Sequence, residues 1–173
     1  LQISAVAAGI PCEANPRGRE HGVSRGIKLS PAGLEHPLFD GTAGVFDGLA
    51  AHTDQVAASW ALQPVCGPGV SAQILAANDW SPVQALSVRV GTGEFWSVQY
   101  HPELTVGDIG RLMLLPVPRQ LLVSQGSFEN EAAIEEYASK LIAIDADPAG
   151  HADLREQLRI GDDILDPAQR SRV

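Results

Sequence analysis

The chain opens on a short apolar helical pattern and then changes to brief extended runs. Residues 1–9 are predicted to form the back half of a helix that stops at Gly9, because glycine tolerates the left-handed backbone of a helix C-terminus. Beyond Gly9, short runs of strand-forming residues are separated by turns that contain proline or glycine. The strand candidates are 10–14, 22–29, part of 45–56, 72–77, 83–90 and 95–100. Turn residues separate the last three candidates, so we expect hairpins there.

Helical periodicity dominates after residue 103. Residues 105–125 are apolar at helical spacing, but two prolines predict a break near Leu115. Ser127 is predicted to cap the next helix, which carries one apolar stripe. The stripe consists of Ile134, Tyr137, Ala138 and Leu141. Further short helices are expected to begin at Asp147 and Asp166, each followed by proline. Strands first and helices last indicate a mixed α/β or α+β chain, and periodicity does not choose between them.

Composition narrows the classes of partner. The 173 residues match one domain with its own core, and 21 acidic against 12 basic residues give a net charge of −9. That sign disfavours nucleic acid and anionic membranes as direct partners. The sequence has only two cysteines, no basic leader before its first apolar segment and no apolar run of about 18 residues. These features favour a cytoplasmic protein. One disulfide remains the alternative, and a chain that begins at Leu1 is either processed or incomplete.

His101-Pro102-Glu103 is the most informative motif, at the end of an apolar strand candidate. Pro102 disfavours helical backbone at His101, and in an extended chain residues two apart point to the same side. A carboxylate beside a histidine fixes its tautomer and supports its protonated form, as a general base serving a nucleophile requires. The alternative is a surface loop with an incidental histidine and glutamate.

Residues 95–103, Phe-Trp-Ser-Val-Gln-Tyr-His-Pro-Glu, resemble the strand and His-Pro-Glu signature of class I (triad-type) glutamine amidotransferases. Leu1-Gln2 and the small-residue helix after it resemble the end of that family's nucleophile elbow, G-x-C-x-G-x-Q. Residues 51–56, Ala-His-Thr-Asp-Gln-Val, resemble its Ser-His-Gly-Asp-x-Val segment, with Ala51 and Thr53 departing from the pattern. The resemblance covers about residues 1–103, and this last segment makes it closest to the amidotransferase domain of GMP synthase.

The resemblance implies an α/β, three-layer flavodoxin-like domain that is incomplete at its N-terminus. Residues 1–125 would be the partial amidotransferase domain, and 126–173 a C-terminal helical extension packed on the same domain. It further implies hydrolysis of glutamine to glutamate and ammonia by a Cys-His-Glu triad, without cofactor or metal. His101 would accept the thiol proton and Glu103 would orient it. Gln2, His52, Thr53 and Asp54 would bind glutamine, and an ammonia-accepting synthetase domain or subunit would be the partner.

The nucleophile is the main departure, because the elbow places it three residues before Leu1. Cys12 and Cys66 do not fit that position, so we expect the chain as given not to hydrolyse glutamine. We also expect it to expose apolar strand and helix faces and to fold poorly. Two alternatives remain: a γ-glutamyl peptidase-type hydrolase, and a non-catalytic binding or regulatory protein. A loose metal site is a further reading, formed by His52, Asp54, His101 and Glu103.

Overall fold

The computed structural model describes residues 1–166, which form a mixed α/β arrangement. The strands are β1 (Cys12–Ala14), β2 (Glu20–Leu29), β3 (Val45–His52), β4 (Asp54–Val56), β5 (Val70–Ala77), β6 (Ala85–Val90) and β7 (Gly93–Val98). The helices are α1 (Gln2–Ala7), α2 (Pro31–Leu34), α3 (Ala58–Leu62), α4 (Val106–Met113), α5 (Pro116–Ser124), α6 (Glu131–Ala146), α7 (Ala152–Leu158) and α8 (Asp162–Leu165). A 3₁₀ turn covers Pro37–Phe39.

The main sheet has five strands in the order β3-β2-β5-β6-β7, and β1 pairs separately with β4. All of these pairings are antiparallel. The predicted strands are confirmed, with bounds that differ by two residues. β1 and β6 begin two residues later than expected, β2 and β5 begin two residues earlier, and β7 covers 93–98 rather than 95–100. The two expected hairpins are confirmed as the β5–β6 and β6–β7 pairs. A β-bulge interrupts the β2–β3 pairing between Ser24 and Ile27. At the bulge, Gly26 has a φ of +59°, a backbone conformation that favours glycine.

The helix break near Leu115 is confirmed. Helix α4 ends at Met113, and α5 begins at Pro116, where the missing proline N–H would have had no helical partner. The start of α4 is fixed by Thr105, whose side chain accepts from the backbone N–H of Asp108 while the Asp108 carboxylate accepts from the N–H of Thr105. Because Thr105 lies two residues after Glu103, this cap also ends the His-Pro-Glu loop.

Two predicted helix starts are wrong. Ser127 does not cap α6, because its N–H bonds back to the Leu122 carbonyl and it belongs to the turn that closes α5. Asn130 caps α6 instead. Asp147 does not begin a helix either: it ends α6, its carboxylate accepts from the Gly150 N–H, and α7 starts at Ala152. The helix expected at Asp166-Pro167 lies outside the described residues.

The largest core lies between the helices α4, α5 and α6 and the β2–β3 side of the sheet. It contains Leu49, Val106, Ile109, Leu122, Ile134, Ala138, Leu141 and Ile144. A second core joins α1 and α3 to β4 and β6. Apolar side chains are exposed on α1, where Ile3 is 89% accessible, and on β7, where Phe95 is 59% accessible. The expected exposure of apolar faces is thus present, while poor folding stays a prediction.

Three further predictions concern the chain as a whole. Cys12 and Cys66 are both free thiols, so the single disulfide left open is not formed. Within residues 1–166, no helix combines the length and the apolar character that a membrane crossing requires. Helix α6 packs on α4 in one core, but the division into residues 1–125 and 126–173 stays a prediction, as does the cytoplasmic location.

Candidate active site

The segment after β7 places His101 against the middle of β3. The His101 N–H donates to the Leu49 carbonyl at 2.7 Å, which fixes the backbone of the motif to the sheet. Gly48 allows this close approach, because a Cβ there would lie 3.1 Å from both Cβ and Cγ of Tyr100. The glycine at position 48 therefore lets Tyr100, the residue before His101, pack directly against strand β3.

His101 and Glu103 form the predicted pair. Nδ1 of His101 lies 2.7 Å from Oε1 of Glu103, and the His101 side chain is 35% exposed. The pKa of the Glu103 carboxyl lies below its usual value: partial burial raises it, but the hydrogen bond from His101, the backbone N–H of Glu103 and the electrostatic attraction of His101 together outweigh burial. An ionised Glu103 accepts the Nδ1 proton, so in a neutral imidazole Nε2 is the unprotonated nitrogen.

Gln2 joins the start of α1 to two distant segments. Its Nε2 donates to the Asp54 carbonyl at 2.6 Å and to Oε1 of the buried Gln99 at 2.9 Å. Gln2 thus contacts Asp54, which follows it by 52 positions in the sequence, and Gln99, which follows it by 97. Gln99 lies two residues before His101, so the same segment carries the Gln2 contact and the histidine–carboxylate pair.

His52 lies inside this cluster. Its Nδ1 is 3.1 Å from the Asp54 carbonyl oxygen, and its Nε2 is 2.7 Å from Oε2 of Glu20. Both ring nitrogens therefore have partners within the protein, and the residue is only 8% exposed. The Thr53 carbonyl accepts from the Asn15 N–H at 2.9 Å. Direct contacts from His52, Thr53 and Asp54 to a substrate stay predictions.

Glu20 is the residue of this cluster that sequence reasoning missed. It stands directly opposite His52 in the β2–β3 pairing and is 6% exposed. The signal available in the sequence was the alternation of β2, in which Glu20, Gly22 and Ser24 occupy successive inward positions. A glutamate in such a row points to a polar partner on the facing strand.

The histidine–carboxylate pair and the Gln2 cluster share strand β3. Leu49, which anchors His101, precedes His52 by three residues, a distance of about 10 Å along a strand. The four-ligand metal reading is not supported, because among residues 1–166 no three His, Cys, Asp or Glu side chains are grouped to hold an ion. Nε2 of His52 is taken by Glu20 instead.

Neither cysteine is placed as the nucleophile. Sγ of Cys12 lies 3.9 Å from the Gln2 carbonyl, and burial, with the Asp54 charge, raises the pKa of its thiol. A raised pKa keeps the thiol protonated and poorly reactive. Cys66 packs against the core of α1 and α3. The described residues thus bring His101 and Glu103 together, while the Cys12 thiol contacts Gln2 rather than that pair.

A cleft of about 400 Å³ opens beside His101. Its walls come from the residues around the start of β3, from the Tyr100-His101-Pro102 segment and from α8. Helix α8 is held there because the Asp47 N–H donates to Oδ2 of Asp163 at 2.8 Å. Sequence reasoning assigned no functional part to this helix.

Comparison with known proteins agrees with the fold prediction. No family model matches the chain. It is 28% identical over 144 residues to a gamma-glutamyl-L-1-hydroxyisopropylamide hydrolase from a Pseudomonas species, covering 82% of this chain and 45% of that protein. The chain thus spans less than half the length of this curated relative.

Solved structures give the same fold. A glutamine amidotransferase from Thermotoga maritima superposes with a TM-score of 0.53 at 14% identity, covering 98% of this chain and 59% of that one. The protein SMU.1228c superposes with a TM-score of 0.53 at 18% identity, covering 91% and 59%. The closer resemblance to GMP synthase stays a prediction from residues 51–56. The mixed α/β architecture is confirmed, and the chain has the fold of the class I glutamine amidotransferases.

Proposed function

We propose that this chain is part of an enzyme that hydrolyses γ-glutamyl amides, of which glutamine is the smallest. The observation that carries the proposal is the His101–Glu103 pair at 2.7 Å, at the end of the segment that also binds Gln2 through Gln99. The curated relative is named as a hydrolase of a γ-glutamyl amide, which supports this choice of bond.

The reaction requires a thiol, which the elbow resemblance places three residues before Leu1. The proposal therefore concerns a polypeptide that includes that position. Nε2 of His101 takes the thiol proton, the sulfur bonds to the amide carbon, and a tetrahedral intermediate forms. The C–N bond then breaks, the amine leaves with the proton from His101, and a glutamyl thioester remains. Water attacks the thioester with His101 as base, which releases glutamate and restores the thiol.

The glutamyl end of the substrate is assigned to the Gln2 cluster. Gln2 contacts the glutamyl group, and the backbone at Thr53 and Asp54 holds its α-amino and α-carboxylate ends. The Asp54 carbonyl already accepts from Gln2 and His52, so the backbone at that point is held in one position. A fixed backbone lowers the entropy cost of binding a small substrate.

The cleft beside His101 favours an amine larger than ammonia as leaving group. The cleft has a volume of about 400 Å³, whereas about 10–15 Å³ on the same measure is enough for one water-sized molecule. Because His101 protonates the departing nitrogen, the leaving group must lie on its side of the scissile bond.

The second candidate is ammonia delivery from glutamine to a synthetase domain or subunit. It is supported by the fold likeness to a protein described as a glutamine amidotransferase. Under this alternative, glutamine is the best substrate and the acceptor partner stimulates turnover. Under the primary proposal, an isolated enzyme prefers a substituted γ-glutamyl amide.

The test uses a polypeptide that extends upstream of Leu1 through the elbow position. Initial rates are compared on glutamine, γ-glutamyl-L-1-hydroxyisopropylamide and a γ-glutamyl dipeptide, with His101→Gln as the inactive control. Hydrolysis that requires His101 supports the proposal. Preference for a substituted γ-glutamyl amide favours the primary proposal, whereas preference for glutamine favours ammonia delivery. Binding of these compounds without turnover would overturn the proposal in favour of a non-catalytic protein.

A further inference from the structure

Glu20 is the centre of a buried hydrogen-bond network. Its Oε1 accepts from Oγ of Ser24 at 2.6 Å and from Nδ2 of Asn78 at 3.3 Å. Its Oε2 lies 2.7 Å from Nε2 of His52 and accepts from Nε2 of Gln84 at 3.0 Å. Four side chains thus converge on one carboxylate, which meets the requirement that a buried charge be fully hydrogen bonded.

Both ring nitrogens of His52 face acceptor groups. The Asp54 carbonyl can only accept, so Nδ1 of His52 donates to it. Nε2 faces the Glu20 carboxylate at 2.7 Å. The pKa of this carboxyl lies below its usual value: burial raises it, but the bonds from His52, Ser24 and Gln84 and the electrostatic attraction of His52 together outweigh burial. The His52 ring is therefore held between a carbonyl on one side and an ionised carboxylate on the other.

The Asp54 carbonyl connects this pair to the proposed glutamyl site. It accepts from Nδ1 of His52 at 3.1 Å and from Nε2 of Gln2 at 2.6 Å. A continuous series of hydrogen bonds therefore runs from Glu20 through His52 and Asp54 to Gln2. Through Gln99 it reaches the segment that carries His101.

We propose that Glu20 is a positioning residue for the γ-glutamyl site, acting through His52 to fix the Asp54 carbonyl and the Gln2 amide. The inference rests on the proposed function for the identity of the ligand, but the hydrogen-bond series is independent of it. Glu20 itself touches no substrate. Its contribution is to hold the His52 ring through Nε2, so that Nδ1 donates to the Asp54 carbonyl and the carbonyl keeps one orientation.

The kinetic test separates positioning from a purely structural role. A network that only stabilises the fold lowers the active fraction, which reduces kcat and leaves KM unchanged. Misplaced substrate-binding groups raise KM instead. We expect Glu20→Ala to raise KM for the preferred γ-glutamyl amide about tenfold or more, with kcat within about threefold of wild type.

Two further variants control this measurement. Glu20→Gln should largely rescue KM, because a neutral His52 can still donate from Nδ1 to Asp54 while its Nε2 accepts from the new amide. Glu13→Gln makes the same chemical change on strand β1, outside the main sheet, where Glu13 contacts Gln55 and Ala58 rather than this series. It should retain wild-type KM. Wild-type KM in Glu20→Ala, or a loss of kcat alone, would refute the positioning role.

Nuclear magnetic resonance distinguishes this inference from failure of the proposed function. In wild type, Nδ1 of His52 should show the ¹⁵N shift of a protonated ring nitrogen that is hydrogen bonded to the Asp54 carbonyl. Glu20→Gln should change the shift of Nε2, which faces Glu20, and leave Nδ1 protonated. This measurement needs neither turnover nor the Glu20→Ala variant to fold. An unprotonated Nδ1 in wild type, or an unchanged Nε2 shift in Glu20→Gln, would contradict the inference even if the enzyme is active.

Discussion

Gly110 lies where α4 crosses α6, and adding side-chain atoms there should destabilise the protein and disturb the site. A Cβ at Gly110 would lie 2.8 Å from the Ala138 carbonyl oxygen and 3.0 Å from Cγ1 of Ile142. The Ala138 oxygen is backbone within α6 and cannot rotate away. Since ordinary contact begins near 3.4 Å, the two helices must separate by about 0.6 Å.

The size of the effect follows from two opposing contributions. Overpacking a well-filled core costs about 1–3 kcal/mol, whereas replacing glycine by alanine within a helix gains about 1 kcal/mol. For Gly110→Ala we expect a net loss of about 1 kcal/mol in the free energy of unfolding. Gly110→Val adds two more buried atoms and a smaller helical gain, so its loss should exceed about 2 kcal/mol.

Urea denaturation followed by circular dichroism measures both values. Ser139→Ala, at an exposed position of α6, is the matched control because it improves helix propensity without a new contact. The reasoning is refuted if either Gly110 variant is as stable as wild type, because helix propensity alone would stabilise both. Equal losses for alanine and valine would equally contradict a steric origin.

A separation of α4 from α6 should also reach the active site. Oγ1 of Thr105, at the start of α4, donates to Oδ2 of Asp145 on α6 at 3.1 Å. Thr105 follows Glu103 by two residues, so a shift of α4 moves the carboxylate that orients His101. We therefore expect kcat of the folded Gly110→Ala protein to fall more than its KM rises.

Three further predictions concern single side chains. Glu103→Gln keeps the shape of the side chain but removes the charge that supports protonated His101, so kcat should fall roughly tenfold to a hundredfold at unchanged KM; equal kcat would remove Glu103 from the mechanism. Burial, with the Arg19 charge, lowers the pKa of His21 from 6.5 to about 4. The unfolded chain therefore binds one more proton between these values, and stability should fall by up to about 3 kcal/mol as pH drops from 6.5 to 4. Urea titrations across that range should show a flatter profile for His21→Gln, and identical profiles would contradict this assignment. Cys12→Ser should leave γ-glutamyl amide hydrolysis unchanged in initial-rate assays, and loss of turnover would place the nucleophile within this chain.

Features with a local cause were predictable from the sequence. The break at Leu115 follows from prolines that cannot continue a helix, and the apolar stripe of α6 follows from helical spacing. The first residues of helices were less predictable, because the residue types that cap a helix N-terminus, such as serine, also occur in the turn that follows a helix. Ser127 has a suitable side chain for a cap, but Gly126, with a φ of +71°, turns the chain so that Ser127 bonds back into α5.

The Glu20–His52 pair depends on a register that local patterns do not determine. On one side of the bulge Ile27 pairs with Phe46, and on the other Ser24 pairs with Gly48, so three steps along β2 match two along β3. Without the extra residue, the register would place His21 opposite His52 and move Glu20 to the other face of the sheet.

The bulge itself is held by contacts between residues that are distant in sequence. The Gly26 N–H donates to Oδ1 of Asp47 at 2.7 Å, and NH1 of Arg25 lies 2.6 Å from Oδ2 of Asp47. Arg25 also donates to the Leu158 carbonyl at 2.6 Å, which connects the bulge to α7. The His-Pro-Glu pair could be predicted because both members lie within three residues of sequence. The position of Glu20 could not be predicted, because it requires the register of β2 against β3. A bulge shifts that register, and the bulge is bonded to Asp47 and to helix α7, which are both distant from it in sequence.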